Sequence, residues 1–432
     1  MFIGAGDFRT FFGVAAVMLS VVAIAAPQGA LLEAGNPKPS GPFRMTLPVA
    51  QDRAAAASKV AELAKLSVDQ ARYRRLGAQA DFFPKIGAIF ANMHFNKFMG
   101  ERIQVLGRTA QLPLLNTDES LFAVTAAQPV TQLFKVREAV NIARADERIA
   151  QAKAAAMSAQ LKSDVELAFF KLLIAQRQQA AGAKAKGNRD LMQVASAAPM
   201  PLSASVERRL AILEAEKELV TANSQAAGLT QALNTLIGLP LDTQLELSAP
   251  EPLMETVSAQ AVQQSIDRNP EVVEARETVV KARAATKLAK LEYIPDVTAM
   301  FTYSYQTAVP LLPRDFSFYG VLASWNVFDF GKRERLVSER RTQLQLAEAN
   351  LEIVKAKIGA SIQKSLLELQ RAGRIRELTR KVATMSRSVH ISNVAAATES
   401  GETLSQADVE MFQAELDYRL AYAQLKRMAG EK

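Results

Sequence analysis

The chain has 432 residues, 49% of them apolar, a length that allows two or three ordinary domains and a composition that excludes intrinsic disorder. Lys and Arg number 52 against 44 Asp and Glu, a net charge of +8, but the cations alternate with acids along helical stretches, which argues against a nucleic-acid surface. There is no Cys, and His94 and His390 are the only histidines, so disulfides, thiolate metal sites and Cys nucleophiles are excluded. No constellation of nucleophile, base and orienting group is visible, and no enzyme, metal centre or cofactor is expected.

Residues 1–25 read as a cleaved export signal. Arg9 precedes an apolar run from Phe11 to Ala26, and Ala23-Ile24-Ala25 supplies the small residues of a cleavage point. The competing reading is a membrane anchor, for which a run of about 16 residues is short. Residues 26–51 are expected to form an extended N-terminal segment. No later segment holds 18 uninterrupted apolar residues.

The remainder reads as one plan written twice, over residues 52–245 and 246–432. QARYRRLGAQADFFPKIGAIF at 70–90 aligns with KARAATKLAKLEYIPDVTAMF at 281–301, and QPVTQLFKVRE at 128–138 with WNVFDFGKRER at 325–335. The two correspondences differ in shift by about 14 residues, which predicts a longer connection between the alternating runs of the first half. Each half then reads helix, strand, loop, strand, very long helix, turn, return helix.

The first long helix is predicted from about Phe134 to Ala195, with a return helix after Pro199-Met-Pro201-Leu-Ser203 ending near Leu236. The second runs from about Arg333 to Ala397, turns at Glu399–Thr403 and returns to Met428. Heptad spacing of Ile142, Ile149 and Ala156, and of Leu344, Leu351 and Ile358, predicts coiled-coil seams.

Four runs alternate with period two, or nearly so. Ile89, Ala91, Met93 and Phe95 share one face, with Asn92, His94 and Asn96 opposite. Val297, Ala299, Phe301, Tyr303 and Tyr305 share a face, as do Tyr319, Val321, Ala323, Trp325 and Val327. The run from Leu121 to Val130 alternates poorly. Strands of about ten residues suit a membrane barrel, in which Tyr303, Tyr305, Tyr319 and Trp325 would be interface anchors and His94 would face the lumen. A half-buried soluble sheet fits the same pattern. Because four strands cannot close a membrane barrel, a barrel reading requires several copies of the chain.

In their order, Asn269-Pro-Glu-Val-Val-Glu-Ala-Arg276, Ile294-Pro295, Ser324-Trp-Asn-Val-Phe-Asp-Phe-Gly331, Leu236-Ile-Gly-Leu-Pro240 and Gly401-Glu-Thr-Leu-Ser405 make the chain similar to the outer-membrane efflux protein family, the TolC-like exit ducts of Gram-negative bacteria. The resemblance spans nearly the whole chain after the signal. It implies a mainly α protein with a small β-barrel portion, in which each protomer gives four transmembrane strands to a trimeric 12-stranded barrel. Long antiparallel coiled-coil helices would form a periplasmic tunnel. The implied function is a passive outer-membrane conduit, joined through a periplasmic adaptor to an inner-membrane pump of RND or ABC type.

The resemblance also places an acidic constriction at Asp408, with Glu410 close by, and puts Met411 where some members carry a second Asp. Asp408 also reads as a solvated carboxylate near a helix N-terminus. The turns at Pro199, Pro201 and Ser203, and at Gly401, Thr403 and Ser405, would dock the adaptor. Lys332, Arg333 and Arg335 would lie where barrel meets helices, near lipid headgroups or simply in solvent. The alternative is a secreted or periplasmic coiled-coil scaffold with no channel.

Overall fold

The computed structural model describes residues 43–105, 108–195, 202–249, 266–392 and 399–429. The predicted export signal lies outside the described residues. Of the segment expected to be extended, Phe43–Met45 form strand β1, and helix α1 (Leu47–Ala57) already begins there because Pro48 presets φ at the second helical position.

Helix α2 (Lys59–Ala80) leads to Pro84 and strand β2 (Lys85–His94). A hairpin of β3 (Met99–Val105) and β4 (Arg108–Leu115) precedes β5 (Asp118–Pro129). Helix α3 (Gln132–Ala195) has 64 residues, roughly 95 Å of helix at 1.5 Å per residue, and α4 (Leu202–Ile237) returns beside it. Strand β6 (Leu245–Leu247) pairs in parallel with β1.

A short 3₁₀ turn (Ile266–Arg268) and helix α5 (Pro270–Leu291) follow. Strands β7 (Asp296–Gln306) and β8 (Asp315–Ser324), the 61-residue helix α6 (Lys332–Ser392) and helix α7 (Glu399–Met428) complete the chain. The predicted longer connection of the first half is the β3–β4 hairpin, which stands apart from the main sheet. Its register is broken at Met99/Gly100, which interrupts a period-two pattern there.

Local chemistry explains the boundaries. Pro84 and Pro295 lack the N–H that would continue α2 and α5, so each helix ends just before them and a strand begins. Asn269 caps α5: its side-chain oxygen accepts from the Glu271 N–H at 2.9 Å, and Pro270 occupies the first helical position. The same side chain donates Nδ2–H to the Met428 carbonyl at 2.9 Å, tying the start of α5 to the end of α7. The Asn-Pro-Glu motif is thus a cap that also clamps two helices.

The helices pack side by side, α3 against α2, α4, α5 and α7, and α6 against α5 and α7. Two apolar clusters hold them. The first joins Val165, Phe169, Phe170 and Leu172 of α3 to Leu233 and Ile237 of α4, Leu416 of α7, and Met45 and Leu245 of the β1–β6 pair. Phe169 and Phe170 are adjacent in a helix and both fully buried, so α3 is covered over a wide arc there. The second cluster joins Val272 of α5, Ile358, Ile362 and Leu369 of α6, and Tyr422 and Leu425 of α7. Of the heptad residues, Ile358 is buried and Ile142, Ile149, Ala156, Leu344 and Leu351 are half-buried, while Ala145 and Ala152, three positions on from Ile142 and Ile149, are buried.

Gly238, after α4, has φ +69°, and a Cβ there would lie 2.7 Å from the Ala57 Cβ, so only glycine suits both the conformation and the close approach of α1.

Candidate functional site: a strand wall carried on long helices

The four main strands form one antiparallel sheet in the order β2-β5-β7-β8. Hydrogen-bonded partners share a face, so the register assigns every side chain to one side. Phe90, Phe122, Tyr305 and Asp315 are neighbours across the sheet, as are Ala88, Val124, Tyr303 and Ser317, and Ile86, Ala126, Phe301 and Tyr319. With Val297, Ala299, Val321 and Ala323 these make one broad apolar face. Phe301 is 48% exposed on it and Tyr319 88%.

The opposite face carries Thr125, Thr302, Ser304 and Gln306. Thr302, Ser304 and Gln306 are buried within a single chain, and the Thr125 and Thr302 hydroxyls lie 3.0 Å apart. On the central strands the hydroxyl face is therefore the covered one, and the apolar face, with Phe301 and Tyr319, is open. This inverts the soluble arrangement, in which the outer face is polar.

The phases predicted for β7 and β8 are those observed. That of β2 is reversed: Ile86, Ala88 and Phe90 lie on the apolar face, and His94 and Asn92 share that face at its end, pairing with Asp118 and Ser120. His94 Nδ1 is 2.7 Å from Asp118 Oδ1. Asn92 and His94 sit past the apolar band rather than within it, so the alternation from Ile89 onwards has the opposite phase. His94 therefore does not lie on the hydroxyl face.

Of the predicted interface aromatics, Tyr303 and Tyr305 lie on the apolar face towards the end marked by Asp118 and Asp315. Tyr319 pairs with Phe301 halfway along the sheet, and Trp325 lies just beyond β8, 58% exposed.

At that foot the chain turns sharply into α6, with Phe330 at φ 55° and Gly331 at φ 78°. Arg333 fastens the turn. Its backbone N–H and its Nε donate to Asp329 Oδ2 at 3.1 and 2.7 Å, Nη1 donates to the Glu292 carbonyl at 3.3 Å, Nη2 to the Asn326 carbonyl, and the guanidinium lies over the Tyr293 ring. Hydrogen bonding to Arg333 holds the Asp329 carboxyl below the usual range. Lys135 bridges Asp296 at 3.0 Å and Glu292 at 3.5 Å. Lys332 and Arg335 line the adjoining groove with Trp325 and Phe330. The motif around Asn326–Gly331 is therefore the joint between sheet and helix.

At the far end, Asp408 on α7 accepts from Arg387 of α6 at 2.5 Å, while Glu410 is exposed. Gly401, Thr403 and Ser405 lie in α7, which already begins at Glu399, so the turn predicted there is helix. Ser-Gly-Glu-Thr is turn chemistry, but a glycine near a helix start is tolerated. Ser203 lies in α4, and Pro199 and Pro201 fall outside the described residues.

Midway along the helices, burial pushes the Glu166 carboxyl up to about 7, opposed by the charge of Arg419. Arg419 is itself buried, 3.6 Å from Glu415. The flanking Val165 and Phe169, both fully buried, are the sequence signal for this burial. The folded-state pKa lies above the ordinary 4.5, so protonated Glu166 favours the fold below pH 4.5, and that contribution disappears as pH rises through 7. Glu166→Gln is expected to raise stability at pH 8 by about 1–3 kcal/mol and to leave it nearly unchanged at pH 4, read as the helical unfolding midpoint at the two pH values.

Among the described residues no helix is long and apolar enough to cross a membrane, and no group of three or more His, Asp or Glu could hold a metal ion.

No family model matches the sequence, and no curated protein matches it. Solved structures do match in three dimensions. The outer-membrane protein VceC of Vibrio cholerae superposes with a TM-score of 0.71 at 15% identity, over 89% of this chain and 96% of that one. The open state of the MtrE outer-membrane channel of Neisseria gonorrhoeae gives 0.71 at 14% identity, covering 89% of each chain. The CmeC outer-membrane channel of Campylobacter jejuni gives 0.68 at 12% identity, over 89% of this chain and 85% of that one. A sheet with an exposed apolar face, carried on helix hairpins and matched along nearly nine tenths of the chain, gives this protein the fold of the TolC-like outer-membrane channels.

Proposed function

We propose that the chain is the outer-membrane exit duct of a Gram-negative tripartite efflux or type I secretion system. Three copies share one 12-stranded barrel, and their helices extend it as a tunnel through the periplasm. The observation that carries this reading is the sheet itself: it is apolar on its exposed face, carries buried hydroxyls on the other, and among the described residues is open at both edges.

A bilayer does not tolerate an open edge, because unpaired N–H and C=O groups find no water there. β2 and β8 occupy the two edges and run in opposite directions, so β8 of one copy pairs antiparallel with β2 of the next, and closure with three copies gives twelve strands. The order helix, strand, strand, long helix, return helix occurs in both halves, which supports an internal two-fold repeat over 52–245 and 246–432. The exposed apolar residues of α2 (Leu63, Leu66, Tyr73) and α6 (Leu346, Ile353, Leu367) would be covered by neighbouring helices of the trimer. A soluble scaffold would instead expose the sheet's aromatic face to water, at the risk of aggregation.

The duct is passive. An adaptor docks on the hairpin tips around Ser203 and Gly401, and an RND- or ABC-type pump supplies the energy. Asp408 forms the constriction near the tip, each carboxylate held by Arg387 of its own protomer. Three converging Asp408–Arg387 pairs attract cations less than bare acids would, yet Arg387→Gln is expected to deepen cation block and Asp408→Ala to relieve it, each by several-fold. Unchanged block in both would remove the constriction from this position. The reading as a whole is tested by adding purified mature protein to planar bilayers: stepwise ohmic conductance is expected, and a water-soluble protein with no conductance would overturn it.

A further inference from the structure

The hydroxyl face of the sheet, which lines the lumen in the trimeric reading, has a composition that a water-filled duct does not require. Its charged groups stand only at the ends, with Lys85 and Asp296 at the foot and Glu119 one pair from the other end. Between them the two edge strands are apolar on this face. β8 presents Phe316, Phe318 and Leu322, and β2 presents Ile89 and Met93. The Phe316 and Phe318 rings stack, with centroids 6.4 Å apart and planes at 24°. Phe318 is 47% exposed, Leu322 59%, Ile89 63% and Met93 45%. Apart from Ser324 at the foot, the polar side chains of the face, Thr125, Thr298, Thr302, Ser304 and Gln306, sit on the central strands.

Resting on the trimeric reading above, we propose that each seam of the barrel bears an apolar binding strip for amphipathic organic cargo. Closure sets β8 of one copy beside β2 of the next, so the strip of Phe316, Phe318 and Leu322 meets the next copy's β2 strip. The lumen thus carries three such strips, separated by hydroxyl-lined walls. Among the described residues of one chain, Phe318, Leu322, Ile89 and Met93 are left 45–63% exposed. Apolar surface held open to water lowers its free energy by contacting an apolar solute, and stacked aromatic rings favour a planar or aromatic one. With no charge between the ends, the strips take neutral or singly charged molecules with an aromatic or branched-alkyl body. Hydrated metal ions and highly charged peptides find nothing there to replace their water.

The test compares two monovalent cations that differ in apolar body, tetraphenylphosphonium and tetramethylammonium, as blockers of single-channel current. Equal charge cancels any attraction at the acidic tip. In the wild-type channel tetraphenylphosphonium should block at a concentration about tenfold lower or less. Phe318→Ser with Leu322→Ser should bring the two within about twofold, while Ala323→Ser on the opposite face should leave the ratio unchanged. If the double variant forms no channels, Leu322→Thr, a strand-compatible change, should reduce the ratio about threefold. Equal block of the wild type, or a ratio retained in the serine or threonine variants, would overturn the strip. A wild-type protein that inserts in no bilayer would instead contradict the channel reading itself.

Discussion

Val321→Pro is expected to abolish channel assembly while leaving the helices of each chain folded. The Gln306 N–H donates to the Arg314 carbonyl at 2.7 Å, which fixes the alternation of the β7–β8 ladder. Even-numbered residues of β8 bond to β7, and the N–H groups of Ser317, Tyr319, Val321 and Ala323 point to the free edge. By the same alternation, counted from the Phe95 N–H to Thr117 carbonyl bond of 2.8 Å, the free donors of β2 are Ile86, Ala88, Phe90 and Asn92. Proline at Val321 therefore removes only a bond to another copy, at an edge position that tolerates it within one chain. In lipid the orphaned carbonyl costs on the order of several kcal/mol, repeated at three seams. Trimers that survive detergent electrophoresis should be lost, with at least a tenfold fall in conductance per protein. Leu322→Pro, one residue on, should damage the β7–β8 ladder inside the chain as well. Wild-type trimer yield from Val321→Pro would mean that β8 is not a seam.

Phe169→Ala is expected to be the most damaging single truncation in the helices, costing about 3–5 kcal/mol. The ring is fully buried, meets Phe170 edge to face at 5.9 Å, and sits where α3, α4, α7 and the β1–β6 pair converge. No side chain nearby can collapse into the space, because Phe170, Leu172, Leu233 and Ile237 are already fully buried. The loss should appear as a lower midpoint of helical unfolding, with conductance retained in molecules that remain folded. Leu367→Ala, at an exposed position of α6, should change the midpoint of the monomeric form by less than 0.5 kcal/mol equivalent, about the usual surface effect.

The long elements were the legible ones. Heptads spaced Ile142, Ile149 and Leu351, Ile358 predict helices that the structure carries from Gln132 to Ala195 and from Lys332 to Ser392. Pro84 and Pro295 mark the helix-to-strand changes, and the phases of β7 and β8 follow from Tyr303, Tyr305, Tyr319 and Val321. Shorter signals failed where two forces compete. On β2 the polar Asn92 and His94 suggest a phase opposite to that of Ile86 and Phe90, because they share the apolar face but lie at its end, beyond the apolar band. Ser-Gly-Glu-Thr at 400–403 has turn chemistry, yet helix continues through it to meet α6. The β1–β6 pair has three residues per strand, too few to show a period, and is held by packing on α3. Arg387 as the partner of Asp408 lies 21 residues away on another helix, and no local pattern announces such a pair.

Everything turns on whether an open four-stranded sheet is one third of a closed wall. The most direct measurement is the native mass of the mature protein released from lipid or detergent. A particle of three chains that dissociates to monomers only when its strands unfold is the predicted result. A monodisperse single chain, stable in water with its sheet intact, would contradict the account.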